Sequence, residues 1–207
     1  MRVLHSFNPV GPEEEEAVLA ALRSGWINDG PEGERLVQDL VGLTGAAGGT
    51  VASTGTHALV LALRACGIEE KGDEVILPDY SCRILYDAVR MAGGTPVVAD
   101  IEEEGWSVDR GSAARRISDR TRAVVVPHAF GLPADIGIFR TLGIPVVEDC
   151  AHAAGVRFGD HPVGGGGDFS IFSFEGTKLL PAVRVAGRLA SVRRRRAHLF
   201  LRYRIEP

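Results

Sequence analysis

From residue 49 onward, short and almost continuously apolar runs alternate with helix-length segments, and this rhythm constrains the fold more than any other feature. The runs are GTVAS (49–53), DEVILP (73–78), GTPVVADI (94–101), TRAVVVPH (121–128), IPVVEDC (144–150), DFSIFSF (168–174) and AGRLASV (186–192). They are rich in Val and Ile and read as strands buried on both faces, the signature of parallel pairing. Segments such as THALVLALRACG and CRILYDAVRMAG supply helices between them. The pattern predicts an α/β fold, a mostly parallel seven-stranded sheet flanked by helices. In such sheets ligands bind beyond the carboxyl ends of the strands, so the residues that follow each run are the ones to inspect for chemistry.

Residues 1–48 read as an N-terminal helical segment. Glu13 to Glu16 suit a helix N-terminus, Ala17, Leu19, Ala20 and Leu22 follow, and Gly25 is a stop. Gly30 and Pro31 break the chain, and Leu36, Leu40, Val41 and Leu43 carry a second helical face. Residues 49–192 are the expected α/β large domain. Residues 193–207 read as a basic helical tail, with Arg193 to Arg196 ahead of Leu199, Phe200 and Leu201. The formal net charge is −4, so the tail reads as a helix leading toward a further domain, and neither nucleic acid nor membrane is an expected partner. There is no apolar run of about 18 residues, the length that reads as a membrane helix, and the first residues carry no secretory pattern. Cys66, Cys82 and Cys150 are an odd number at no metal spacing, which fits a reducing cytoplasm.

Three strand ends attract attention. After the first run, Ser53, Thr54, Gly55 and Thr56 open a helix, and small residues there leave N–H groups that suit a phosphate. A simple helix cap by Ser53 or Thr54 explains the same residues without a ligand. The fifth run ends in Glu148 and Asp149, which strand alternation sends to opposite faces. One of them reaches a site and the other caps a neighbouring element, unless both are simply a solvated strand end. His128, Asp149, His152 and His161 also allow a metal site, and His128, Asp149 and His152 with it a metal-dependent hydrolase, but no tight ligand motif supports this. The VGGGG segment (163–167) reads as a turn between strands, since it lacks the context of a nucleotide-binding loop.

The third feature is a lysine. Of 23 basic residues only Lys71 and Lys178 are Lys. Only a lysine can lose its proton and act as a nucleophile. Lys178 lies between the apolar stretches IFSF and LLPAV, which predicts partial burial, and burial favours a neutral amine. A phosphate cradle, a strand-end Asp and a semi-buried Lys are together the contacts pyridoxal phosphate requires: an anchor, a partner for the pyridine nitrogen and a Schiff-base amine.

Five stretches in order, GWINDGPEGERL, STGTHALVLALRACGI with KGDEVILPDYS, GGTPVVADIE with TRAVVVPHAFGLPADI, VVEDCAHAAG, and VGGGGDFSIFSFEGTK, resemble the DegT-like sugar aminotransferases among the fold-type-I pyridoxal-phosphate enzymes. The resemblance implies that Thr54, Gly55 and Thr56 bind the cofactor phosphate with Ser173 adding a hydroxyl. It implies that Asp149 pairs with the pyridine nitrogen, that His152 lies near the ring hydroxyl, and that Lys178 is the internal aldimine and then the proton carrier. It further implies a nucleotide-linked keto sugar and an amino-acid donor as substrates, and a homodimer or partner chain. A sugar-dehydrating branch of the family has His in place of this Lys, so Lys178 favours transamination. Cys82 stands by position where the family places a ring against the cofactor, with Tyr80 close by. Family members are nearly twice as long, so the chain resembles the large domain without the small C-terminal one. A non-catalytic partner or remnant of the same fold is the alternative reading.

Overall fold

Prolines open the first two helices. In the computed structural model, which describes residues 10–26, 30–176, Lys178 and the backbone of 188–192, α1 spans Pro12–Ser24 and α2 spans Pro31–Thr44. A proline in the first turn loses no hydrogen bond, because its N–H would have had no helical acceptor. Gly25 ends α1 as predicted. No α1 side chain is buried, whereas α2 buries Leu40 and Thr44. The predicted basic tail lies outside the described residues.

All seven apolar runs become strands. In chain order the strands are β1 (Gly48–Ala52), β2 (Glu74–Pro78), β3 (Thr95–Ala99), β4 (Thr121–Pro127), β5 (Val146–Asp149), β6 (Arg157–Phe158), β7 (His161–Pro162), β8 (Phe169–Ile171) and β9 (Arg188–Val192). The short β6–β7 hairpin stands apart and has no apolar run to announce it. The other strands form one sheet in the order β1-β9-β8-β5-β4-β2-β3. Five of them, β3, β2, β4, β5 and β8, pair with one another in parallel. Strand β9 runs antiparallel between β8 and β1. The mostly parallel sheet is thus a five-stranded parallel block extended on one side by a reversed strand. Burial on both faces holds for its centre only: β2 is buried throughout, whereas β1 and β3 at the edges are largely half-exposed.

Helices α3 (Gly55–Ala65), α4 (Ile84–Ala92), α5 (Arg110–Arg115) and α6 (Ile136–Arg140) complete the layers. The two-residue period of a strand sorts the core. Val75, Leu77, Val125, Val147, Phe169 and Ile171 pack with the apolar side chains of α3 and α4. Ile76, Val124, Val126 and Val146 pack with Ala113, Ile136 and Phe139 on the other face. Full burial of each such aliphatic side chain contributes roughly 1.5–3 kcal/mol, so the strand ends are held by a well-filled core on both sides. No helix among the described residues is long and apolar enough to cross a membrane.

The chain steps outward from β2 to β3 and then returns past β2 to β4. Between β2 and β4 the direction of winding therefore reverses. A crevice opens at the carboxyl ends of the strands at such a point, because the connections on its two sides turn away from each other.

Candidate functional site

A cavity of about 530 Å³ lies in that crevice. The start of α3 contributes Gly55 and Thr56, the segment after β2 contributes Tyr80, Ser81 and Cys82, and the end of β4 contributes Pro127 and His128. Asp149 and His152 come from the end of β5, and Ser173 and Lys178 from beyond β8. Residues that are far apart in sequence meet here because parallel strands present all their carboxyl ends at one edge of the sheet.

Most of the predicted site residues are brought together. Gly55 and Thr56 occupy the first turn of α3, where N–H groups have no acceptor within the helix. Thr54 is the exception among the three predicted phosphate ligands. Its hydroxyl accepts the His57 N–H at 3.0 Å as the helix cap, and Thr54 is not part of the cavity lining. The cap reading accounts for the Thr54 hydroxyl, and of the three residues Gly55 and Thr56 line the cavity. Ser53 also turns away, with Oγ 2.6 Å from Nδ1 of His57. Ser173 is buried yet lines the cavity. Lys178 is half-buried, and its Nζ lies 2.9 Å from Nε2 of His152.

The two strand-end carboxylates separate as alternation requires. Asp149 follows the Val147 face into the cavity, where its Oδ1 accepts the Ala151 N–H at 3.0 Å. Burial pushes its carboxyl above the ordinary 3.8, against the pull of that N–H and of His152, Lys178 and His128. His152 is held below 6.5, first by desolvation and then by the neighbouring Lys178, with Asp149 opposing. An imidazole held neutral this way is an acceptor for the lysine ammonium, which has only donors to offer.

Glu148 takes the opposite face and is only 1% exposed. The solvated strand-end reading is therefore wrong for this residue, because donors surround it. Gly164 N–H donates to Oε2 at 2.8 Å, Gly166 N–H donates to Oε1 at 2.8 Å, and Gly167 N–H also donates to Oε1. The fourth partner is His128, whose Nε2 lies 3.0 Å from Oε2. Its Nδ1 accepts the Ala134 N–H at 3.0 Å, so the proton of the neutral ring sits on Nε2 and is donated to Glu148. The VGGGG turn is thus a fitted cradle as well as a turn. Gly164 has φ +89°, and a Cβ there would lie 2.5 Å from the Phe172 ring. At Gly167 a Cβ would lie 2.8 Å from the Val146 carbonyl. Only backbone without side chains can approach Glu148 this closely.

The four residues of the metal reading are not gathered. The one trio of metal-ligand types that converges among the described residues is His128, Glu148 and Cys150, all buried. His128 and Glu148 there are already engaged with each other and with backbone N–H groups. Burial pushes the Cys150 thiol well above its ordinary value, away from the thiolate a metal would need. His161 sits apart on the exposed β6–β7 hairpin.

Sequence reasoning did not find the aromatic cluster at the cavity mouth. Tyr80, Trp106 and Phe130 lie with ring centroids 5.5–6.5 Å apart, and Phe130 stacks on His152 at 6.3 Å and 25°. Tyr80 and Phe130 each follow a strand end by two or three residues, and that spacing was the available signal. Cys82, where a ring was expected by position, is exposed.

The family profile described as "DegT/DnrJ/EryC1/StrS aminotransferase family" matches residues 9–192. An L-glutamine:scyllo-inosose aminotransferase of Streptomyces griseus is 42% identical over 132 residues, 62% of this chain and 31% of that protein. A UDP-N-acetyl-3-dehydro-alpha-D-glucosamine 3-aminotransferase of Acidithiobacillus ferrooxidans is 38% identical over 162 residues, 76% of this chain and 44% of that protein. The crystal structure of S. venezuelae DesV in complex with a ketimine intermediate superposes with a TM-score of 0.82 at 32% identity, covering 92% of this chain and 51% of DesV. The chain thus spans about half, or less, of the length of the proteins it matches.

Proposed function

Because the chain belongs to the DegT/DnrJ/EryC1/StrS aminotransferase family, we propose that its cavity holds pyridoxal 5′-phosphate. On this reading the chain is the cofactor-binding part of an aminotransferase that transfers an amino group from an amino acid to a keto sugar carried on a nucleotide. One observation carries the reading: a single cavity collects helix-start N–H groups, the Ser173 hydroxyl, the Asp149 carboxylate and the Lys178 amine. That donor set suits the group chemically, with donors for a phosphate, an acid for a ring nitrogen and a nucleophile for an aldehyde. The volume is also in the range of small-molecule sites.

When bound, the cofactor supplies an electron-withdrawing ring that stabilises negative charge at the carbon losing its proton. The remaining work belongs to the chain. Gly55, Thr56 and the positive end of α3 bind the phosphate, with the Ser173 hydroxyl as a further donor. Asp149, raised by burial, would be the acceptor for a protonated ring nitrogen, and its negative charge would favour that proton. His152 Nε2 accepts a hydrogen bond from Lys178 Nζ and so holds the amine that would attack. The same amine later moves the proton at the reacting carbon as general base and acid. His128 takes no part in proton transfer, since both its ring nitrogens are engaged. A second copy or a partner chain completes the substrate side of the site.

The UDP-linked substrate named for the A. ferrooxidans relative supports a nucleotide sugar. A free keto-cyclitol is the second reading, favoured by the 42% identity to the scyllo-inosose enzyme. The test is to add pyridoxal 5′-phosphate, reduce with borohydride and map the labelled peptide. A label on Lys178 is expected; a label on Lys71, or none, overturns the reading. Labelling at Lys178 without turnover on either substrate class, even with a partner chain, would assign the chain to the non-catalytic alternative.

A further inference from the structure

We propose that Phe130, braced by Tyr80 and Trp106, is a positioning residue that fixes the His152 ring so that its Nε2 receives the hydrogen bond of the Lys178 amine. The observation is a contact chain running from the cavity rim to the reactive nitrogen. Trp106 meets Phe130 edge-on at 87° and 6.3 Å, and Tyr80 lies against both rings. Phe130 lies nearly parallel to His152 at 25°, and His152 in turn lies 2.9 Å from Lys178 Nζ.

The backbone adds a second, independent observation. Among the described residues only Trp106 and Phe130 are non-glycine residues with positive φ, at 57° and 55°. For a bulky side chain that conformation costs on the order of 1–3 kcal/mol and persists only where its surroundings over-determine it. Both strained residues belong to this one cluster, and both rings remain substantially exposed, Trp106 at 43% and Phe130 at 65%. Hydrophobic burial therefore does not repay the strain. What the strain achieves is orientation: it sets the Phe130 ring nearly parallel to an imidazole. The loop bearing Phe130 also runs close beside the imidazole's own backbone, since a Cβ on Gly131 would lie 3.4 Å from the His152 carbonyl.

His152 needs such a brace. It sits in a turn and is exposed. An imidazole rotates about two side-chain bonds, and only a narrow range of settings aims Nε2 at an amine. A flat ring stacked on one face removes most of the others.

The significance for catalysis rests on the reading of Lys178 as the reactive amine; the geometry does not, and it is tested without cofactor. In protein carrying ¹⁵N-histidine at about pH 8, where an imidazole is ordinarily neutral, two-bond ¹H–¹⁵N spectra report which ring nitrogen bears the proton. His152→Gln assigns the signal. Wild type is expected to show His152 with its proton on Nδ1, because Nε2 accepts from Lys178. Phe130→Ala is expected to return His152 to the Nε2–H form that a free imidazole favours, with an unchanged melting temperature. Phe130→Tyr, which keeps a flat ring, is expected to retain the Nδ1–H form. An Nε2–H signal in wild type, or an Nδ1–H signal that survives in Phe130→Ala, overturns the proposal. If the tautomer shift appears but pyridoxal 5′-phosphate does not label Lys178, the positioning role stands and the cofactor reading fails.

Discussion

Glu148 and Asp149 are adjacent carboxylates at the end of one strand, and they live in opposite worlds. Glu148 accepts from His128 and from three backbone N–H groups of the glycine turn, with 1% of its surface exposed. Asp149 accepts from Ala151 N–H and otherwise faces a cavity, half-buried and pushed toward its neutral form. A carboxylate whose donors are already present holds structure together. One that is desolvated without a full set of donors is primed for a cationic partner from outside. The alternation of a strand is enough to place the two roles one residue apart.

Substitutions at four residues break or sharpen this contrast, taken from the largest effect to the smallest. Lys178→Arg removes the amine on the open side and, on the function proposed above, should lower amino-transfer rates by on the order of 10²–10⁴-fold or more, the share typical of a positioned acid–base group. Its melting curve should match wild type; a folding defect would show that Lys178 also serves structure. Glu148→Ala acts on the closed side. It strands the His128 N–H and three backbone donors at about 1–3 kcal/mol each, so urea unfolding should show a loss of roughly 4 kcal/mol or more. If Asp149→Ala costs as much stability as Glu148→Ala, the contrast is wrong.

Asp149→Asn sharpens it through pH. A carboxyl raised in the folded state binds its proton more tightly than in the unfolded chain. The stability it lends to cofactor-free protein is therefore complete below the ordinary 3.8 and is lost as pH rises through the higher folded value. The Asn variant should lack that decline, and stability curves of the two proteins measured from acid toward neutral pH should diverge. His152→Gln has the smallest effect and the opposite sign. An imidazole lowered in the fold stabilises above the ordinary 6.5, and this contribution disappears as pH falls through the lower folded value. The variant should flatten that acid-side loss in the same titration.

The closed and open sides were unequally legible in the sequence. Seven apolar runs announced seven strands, but not their burial, since the edge strands β1 and β3 are half-exposed and a run of Val and Ile does not say whether a neighbour covers it. They did not announce direction: β9 reads like its neighbours and runs the other way, because pairing direction is set by the connection and leaves no mark in composition. Lys178 stood out by scarcity and Asp149 by its place at a strand end. That one of the two strand-end carboxylates caps a neighbouring element was legible, but its partners were not, because the reach of a glycine turn depends on backbone angles. The metal reading gathered His128 with the wrong company, since a sequence does not say which ring nitrogens are already taken. Thr54 drew the phosphate role although its hydroxyl serves the helix. The aromatic cluster escaped because Trp106 comes from an irregular segment, with no periodicity to project it toward Tyr80 and Phe130.

The Glu148 cradle also bears on how the chain folds. Its partners lie 20 residues before it at His128 and 16 to 19 residues after it in the glycine turn. Both loops are short and nearly equal, so closing either costs little chain entropy, and each closure brings a parallel neighbour of β5 into register. Contacts of this sequence separation form early, ahead of the pairing of β1 with β9, whose strands lie at opposite ends of the domain. On this ground the framework that carries Asp149 is expected to assemble before the edge of the sheet is closed, an order that pulse-labelling hydrogen exchange would read.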